Sequence, residues 1–196
     1  MIAYINITVL FLSLMIFFFL YLRSLSPSYL EKRIGEKAYK ISTSYRMFSL
    51  PFINIVRVNY IIYFFYPLPL AFPRRFFWGW PLSLFFAFLL MLPYIYLLSR
   101  GLKDAGKESF ITQKEHKLYN KGIYRRIRHP QHIGVVCSWW ILSFLLDSPF
   151  LTLLSLVWVG VYYKFSLAEE KDLELRFGED YLKYKRDTGG IFPRKL

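Results

Sequence analysis

One cysteine, Cys137, stands in an apolar stretch of this 196-residue chain. A lone thiol excludes an internal disulfide framework and any cysteine-rich metal site. In such surroundings it reads as a small buried hydrophobe rather than a nucleophile. Acidic residues are also scarce, 13 against 26 basic ones, and there are three histidines. Neither GxxxxGK[ST], GxGxxG nor HExxH occurs, so no standard phosphate cradle or zinc helix is readable. Gly189 and Gly190 are the only adjacent pair among the ten glycines. His129 and His132 lie three apart, but no further ligand is close in sequence, so no metal is expected.

What the chain has in abundance is apolar surface. At 55% hydrophobic and 21% aromatic residues it is too apolar for an ordinary soluble domain. Residues 5–22 (INITVLFLSLMIFFFLYL) carry no charge over 18 positions, the length a helix needs to cross hydrocarbon. No basic residue precedes this run and no small-residue cleavage site follows it, so it reads as a retained span rather than a signal peptide. Further apolar segments run from about residue 50 to 70, 80 to 98, 133 to 146 and 149 to 165. Asp147-Ser148-Pro149 separates the last two with good turn chemistry and makes them an antiparallel hairpin. Pro51 marks one end of the second segment. The expectation is an all-α polytopic membrane protein of about five transmembrane helices.

The net charge of +13 is not spread evenly. Residues 23–49 hold six Lys/Arg, residues 100–132 nine and residues 164–196 eight, leaving only Arg57, Arg74 and Arg75 elsewhere. Cations gathered in alternate connections follow the positive-inside pattern, which puts the C-terminus in the cytoplasm and the N-terminus outside, with anionic lipid headgroups as partners. No nucleic-acid reading module accompanies the charge, so no nucleic acid is expected. Arg57, beside Asn54 and Asn59, is costly at membrane depth. It is either a substrate-path cation or a side chain snorkelling to the basic face.

The most polar block is residues 116–132, HKLYNKGIYRRIRHPQH, followed by Glu169-Glu170. Pro130 opens a helix, which puts His129 at the cap beside free N–H groups and the positive dipole end. With Arg128 adjacent, that corner suits an anion. A carboxylate from Glu169 or Glu170 facing it would complete a receptor for a zwitterion, such as an amino acid.

The pattern His116-x-Leu118-x-x-x-Gly122-x-Tyr124-x-x-x-Arg128-His129-Pro130, then Gly134, Glu169-Glu170 and Phe177-Gly178-x-x-Tyr181-x-x-Tyr184, resembles the isoprenylcysteine carboxyl methyltransferase family over about residues 100–196. The resemblance implies an integral membrane methyltransferase that uses S-adenosylmethionine in a cytoplasmic pocket, with a lipophilic acceptor entering from the bilayer. The apolar segments put three spans in residues 1–99, and the resemblance puts the cofactor-binding half in residues 100–196. By position it assigns His116, Lys117, Leu118, Tyr119, Tyr124, Arg128, His129, Pro130, Gln131, His132 and Glu169 to the cofactor. Tyr119 stands where the family has valine and His132 where it has tyrosine. Phe165 replaces the arginine that engages a prenylcysteine carboxylate, with Lys164 beside it as a substitute. A carboxylate acceptor needs no base; a thiol or amine would, and Glu170 and His132 are the candidates. The alternatives are a sterol-reductase-like NADPH enzyme and a non-catalytic multi-span lipid-binding protein.

The orientation is testable by labelling. A Leu196→Cys variant should react with an impermeant maleimide only after permeabilisation; labelling of intact cells would reverse the topology.

Overall fold

The computed structural model describes residues 1–106 and 118–194. Among these the chain forms α1 (Ile2–Ser24), α2 (Pro27–Ile34), α3 (Lys37–Phe65), α4 (Trp80–Ala105), α5 (Pro130–Leu145), α6 (Pro149–Leu154), α7 (Leu156–Phe177) and α8 (Glu179–Asp187), with a 3-10 turn at Gly122–Arg125. The one β pairing among the described residues is a single parallel bridge between Ile127 and Gly189. The expected all-α membrane architecture is what forms. Four stretches are long and apolar enough to cross a bilayer: Ile2–Ser24, Lys37–Phe65, Trp80–Ala105 and Pro149–Phe177. The remaining arm, α5, has 16 residues, which at ~1.5 Å per residue reaches about 24 Å, short of the ~30 Å hydrocarbon core.

The helices pack as two antiparallel pairs, α1 with α3 and α4 with α5, and α7 touches α1, α2 and α5. Small and polar residues let the first pair approach closely: Ser13, Ser24, Ser42 and Ser49 are all buried. Asn6 Nδ2 donates to the Asn59 carbonyl at 3.0 Å, the kind of bond that holds helices together where water is absent. Gly134 does the same for the second pair, lying 3.5 Å from the Leu98 backbone nitrogen as measured from where its Cβ would stand.

Between the pairs sits an aromatic core. Trp139 of α5 and Trp158 of α7 stack at 3.9 Å between centroids, and Tyr60 donates structure from α3, its hydroxyl accepting from Trp158 Nε1 at 3.3 Å. Phe165 is fully buried among Phe17, Phe18, Tyr21 and Tyr162. Large apolar side chains on the outer faces, such as Phe11, Phe85, Phe88 and Leu153, are exposed, as a lipid-facing surface requires.

Two boundaries differ from the sequence reading. Pro51 does not end its helix: α3 starts at Lys37 and carries Pro51 inside it. Proline removes one backbone bond, but in a packed membrane helix neighbouring elements compensate, and Ile53, Val56 and Tyr60 just beyond it are buried. The expected division between residues 99 and 100 falls within α4, which runs unbroken to Ala105.

Candidate functional site

Three of the spans end close together at the basic end of the bundle, and the polar block folds back over them. Gly122 has φ +58°, a conformation that costs glycine nothing. A Cβ there would collide with the Asp104 carboxylate. This close approach lets Asp104 at the end of α4 accept from Ile123 N at 2.8 Å, pinning the 3-10 turn. Tyr124 is thereby brought over α5. Its hydroxyl accepts from Gln131 Nε2 at 2.9 Å and donates to the Gly101 carbonyl at 3.3 Å, while its own carbonyl accepts from Tyr184 of α8 at 2.6 Å.

The C-terminal tail closes the other side. Arg128 N donates to the Gly189 carbonyl at 2.9 Å and His129 N to that of Gly190 at 3.3 Å. The Arg128 side chain then meets Glu170 through Nε at 3.0 Å and Nη2 at 2.9 Å, and gives Nη1 to the carbonyls of Lys185 and Thr188. Glu170 also meets His129 Nε2 at 3.0 Å and Lys185 Nζ at 2.9 Å. Three cations from two segments therefore share one carboxylate that is 6% exposed.

Glu169, one residue earlier, turns the other way. Its side chain is 40% exposed, with Oε2 3.2 Å from His129 Nδ1 and 3.8 Å from His132 Nε2. Burial alone would lower the His129 pKa, but hydrogen bonds and charge from Glu169 and Glu170 outweigh it and raise the value to about 9. At neutral pH His129 is thus an imidazolium with both nitrogens donating. His129, His132 and Glu169 bring one ligand atom each within 4.8 Å of one another. His132 has a fixed tautomer: Ser166 spends its proton on the Tyr162 carbonyl at 2.9 Å, so His132 Nδ1 donates to Ser166 Oγ at 2.8 Å. That leaves Nε2 as a free acceptor.

A cavity runs through this arrangement. Leu118, Tyr119, Tyr124, Arg128, His129, Pro130, Gln131, His132 and Glu169 all line it, so nine of the expected cofactor residues converge. His116 and Lys117 lie outside the described residues. The wall also contains residues that sequence reasoning missed: Tyr21 and Ser24 of α1, Leu25 just after it, Arg46 of α3, Tyr162 of α7, and Tyr181 and Tyr184 of α8. No local signal marks Tyr21 or Arg46, because only long-range packing brings them to α5. Burial raises the phenol pKa of Tyr124, Tyr181 and Tyr184, so they act as neutral hydrogen-bonding groups. Tyr181 Oη is buried in this wall with no partner among the described residues, an orphan that a polar ligand would satisfy.

Three assignments need correction. Glu170 does not line the cavity; saturated by Arg128, His129 and Lys185, it braces the site and cannot act as a base. Lys164 is exposed and off the cavity, because the helical step from buried Phe165 turns it outward. Arg57 is held by Asn54 Oδ1 at 2.9 Å and lies 5.3 Å from the centroid of the Trp139 ring; it too is outside the cavity lining.

The sequence pattern of the phospholipid methyltransferase family matches residues 82–180, half of the chain. No curated protein matches it.

Two outcomes follow from the charge cluster. Replacing Glu170 by Ala leaves Arg128 and His129 buried without their anion and should cost about 3–5 kcal/mol of stability, far more than Glu169→Gln, as read from thermal melting in detergent. Because the folded pKa of His129 lies above its unfolded value of ~6.5, its stabilising contribution is complete below that pH and is lost as pH rises through about 9. The melting temperature should fall across this window, and His129→Gln should flatten the dependence.

Proposed function

The chain belongs to the phospholipid methyltransferase family and is a membrane methyltransferase; from that premise we propose that it uses S-adenosylmethionine to methylate a lipophilic acceptor drawn from the bilayer. The observation that carries this reading is the pairing of Glu169, half-open to the cavity, with the uncapped N-terminus of α5 and its imidazolium His129. Glu169 would take the cofactor's ammonium. The first-turn N–H groups of α5 would take its carboxylate, a match of charge sign at both ends. Tyr181 Oη would gain the partner it lacks. Bound there, the sulfonium supplies an activated methyl group, so the protein's task is alignment and exclusion of water.

The residues on the bundle side of the cavity perform that task. Tyr21, Leu25, Val135 and Tyr162 form a wall that admits an apolar chain and keeps water from the transfer point. His132 faces the same space with its Nε2 lone pair. Should the acceptor be an amine, His132 is the side chain placed to take its proton. A carboxylate acceptor would leave His132 as a positioning residue.

Thermal melting of the detergent-purified protein tests the cofactor. S-adenosylmethionine or its demethylated product should raise the melting temperature, about 2.7 kcal/mol of stabilisation at a hundredfold excess over Kd, and NADPH should not. Glu169→Gln and His129→Ala should each weaken that binding by tenfold or more. Full binding by both variants, or a shift produced by NADPH alone, would overturn the assignment.

A further inference from the structure

A second groove opens on the basic end of the bundle, away from the cavity just described. Arg100 from the last turns of α4, Arg125 and Arg126 from the 3-10 turn, and Arg194 from the C-terminal tail all line it, together with Tyr96 and Asp187. The four arginines come from three separate segments and are all exposed. None of them pairs with a protein carboxylate among the described residues, although ion pairs are plentiful a few residues away at Arg128 and Lys185. Asp187 offers one negative charge against four positive ones. Holding four guanidinium groups around a single carboxylate among the described residues is unfavourable by their mutual repulsion, so the groove suits an anion brought from outside.

Its position names the source. Arg100 lies near the end of a helix long and apolar enough to span the bilayer, and Tyr96, one turn earlier on the same helix, is 55% exposed. A tyrosine and an arginine one turn apart at a span's end mark the headgroup level. Arginine's fork suits phosphate oxygens bidentately.

We propose that this groove binds the phosphodiester headgroup of an anionic phospholipid. One lipid held there would bridge α4, the 3-10 turn and the tail. The last two are already joined by the Ile127–Gly189 bridge and by Arg128 N donating to the Gly189 carbonyl at 2.9 Å. The lipid would therefore tighten the same strand of chain that presents Arg128 and His129. The site does not depend on the methyl-transfer reading, because its readout is lipid retention.

The full-length protein, delipidated in neutral detergent, is titrated with dioleoyl-phosphatidylglycerol, dioleoyl-phosphatidylcholine or inorganic phosphate, and bound lipid is counted by native mass spectrometry alongside thermal melting. Phosphatidylglycerol should be retained at least tenfold more tightly than phosphatidylcholine, with the preference shrinking as salt rises. The combined variant Arg100→Gln, Arg125→Gln, Arg126→Gln and Arg194→Gln should lose that preference. Arg74→Gln with Arg75→Gln, which removes two arginines outside the groove, should keep it. Equal retention of the two lipids, or a combined variant as selective as the parent, would overturn the proposal. So would stabilisation by inorganic phosphate equal to that by the lipid, since the ligand would then be a free anion.

Discussion

Everything at the basic end of this molecule depends on one buried carboxylate. Glu170 receives Arg128 and His129 from the segment before α5 and Lys185 from α8. Each of those cations would be expensive to bury alone, and the carboxylate would be too. Together they tie α7, the α5 entrance and the C-terminal helix into one piece. The arrangement also decides what Glu169 can do. With Glu170 absorbing Arg128 and one nitrogen of His129, its neighbour meets the other nitrogen, has His132 Nε2 3.8 Å away, and faces the cavity. Adjacent residues on a helix point roughly 100° apart, and that rotation is enough to make one glutamate a brace and the other a ligand-facing group.

The bilayer sets the second constraint. Helices must bring small or hydrogen-bonded residues to their contacts, as Asn6 and Asn59 do, and may expose large apolar ones outward. A cavity for a charged ligand cannot be cut into the middle of such a bundle at tolerable cost. Placing it where α1, α3 and α7 reach the basic end lets polar side chains of α8 and of residues 124–132 form one wall and aromatic residues of the spans form the other. The cavity is therefore amphipathic by construction. An ionic molecule and an apolar one can reach the same point from different phases.

Much of this was legible in the sequence because its causes are local. Apolar runs of spanning length, the Asp-Ser-Pro turn and Pro130 at a helix start are each read from a few consecutive residues, and all three form. That Leu118, Tyr124, His129, Gln131 and Glu169 belong to one pocket was implied by the family resemblance rather than by periodicity, and all five line the cavity. What could not be read was set by packing at long range. Arg46 reaches the cavity only because α3 lies against α1, and Tyr21 only because α1 meets α7. Nothing local to Glu170 marked it as a brace rather than a base; that role appears only once Arg128 and Lys185 close on it. Phe165 and Lys164 reversed their expected importance for the same reason, since the aromatic cluster of α1 claims the inward-facing position.

Arg46 shows what such long-range placement adds to the chemistry. It stands on the wall of the cavity contributed by the spans, 6.0 Å from the centroid of the Tyr21 ring. Packing of α3 against α1 thus gives the aromatic wall a positive charge that no local pattern in residues 37–65 announces, and a ligand on that side meets a cation as well as rings.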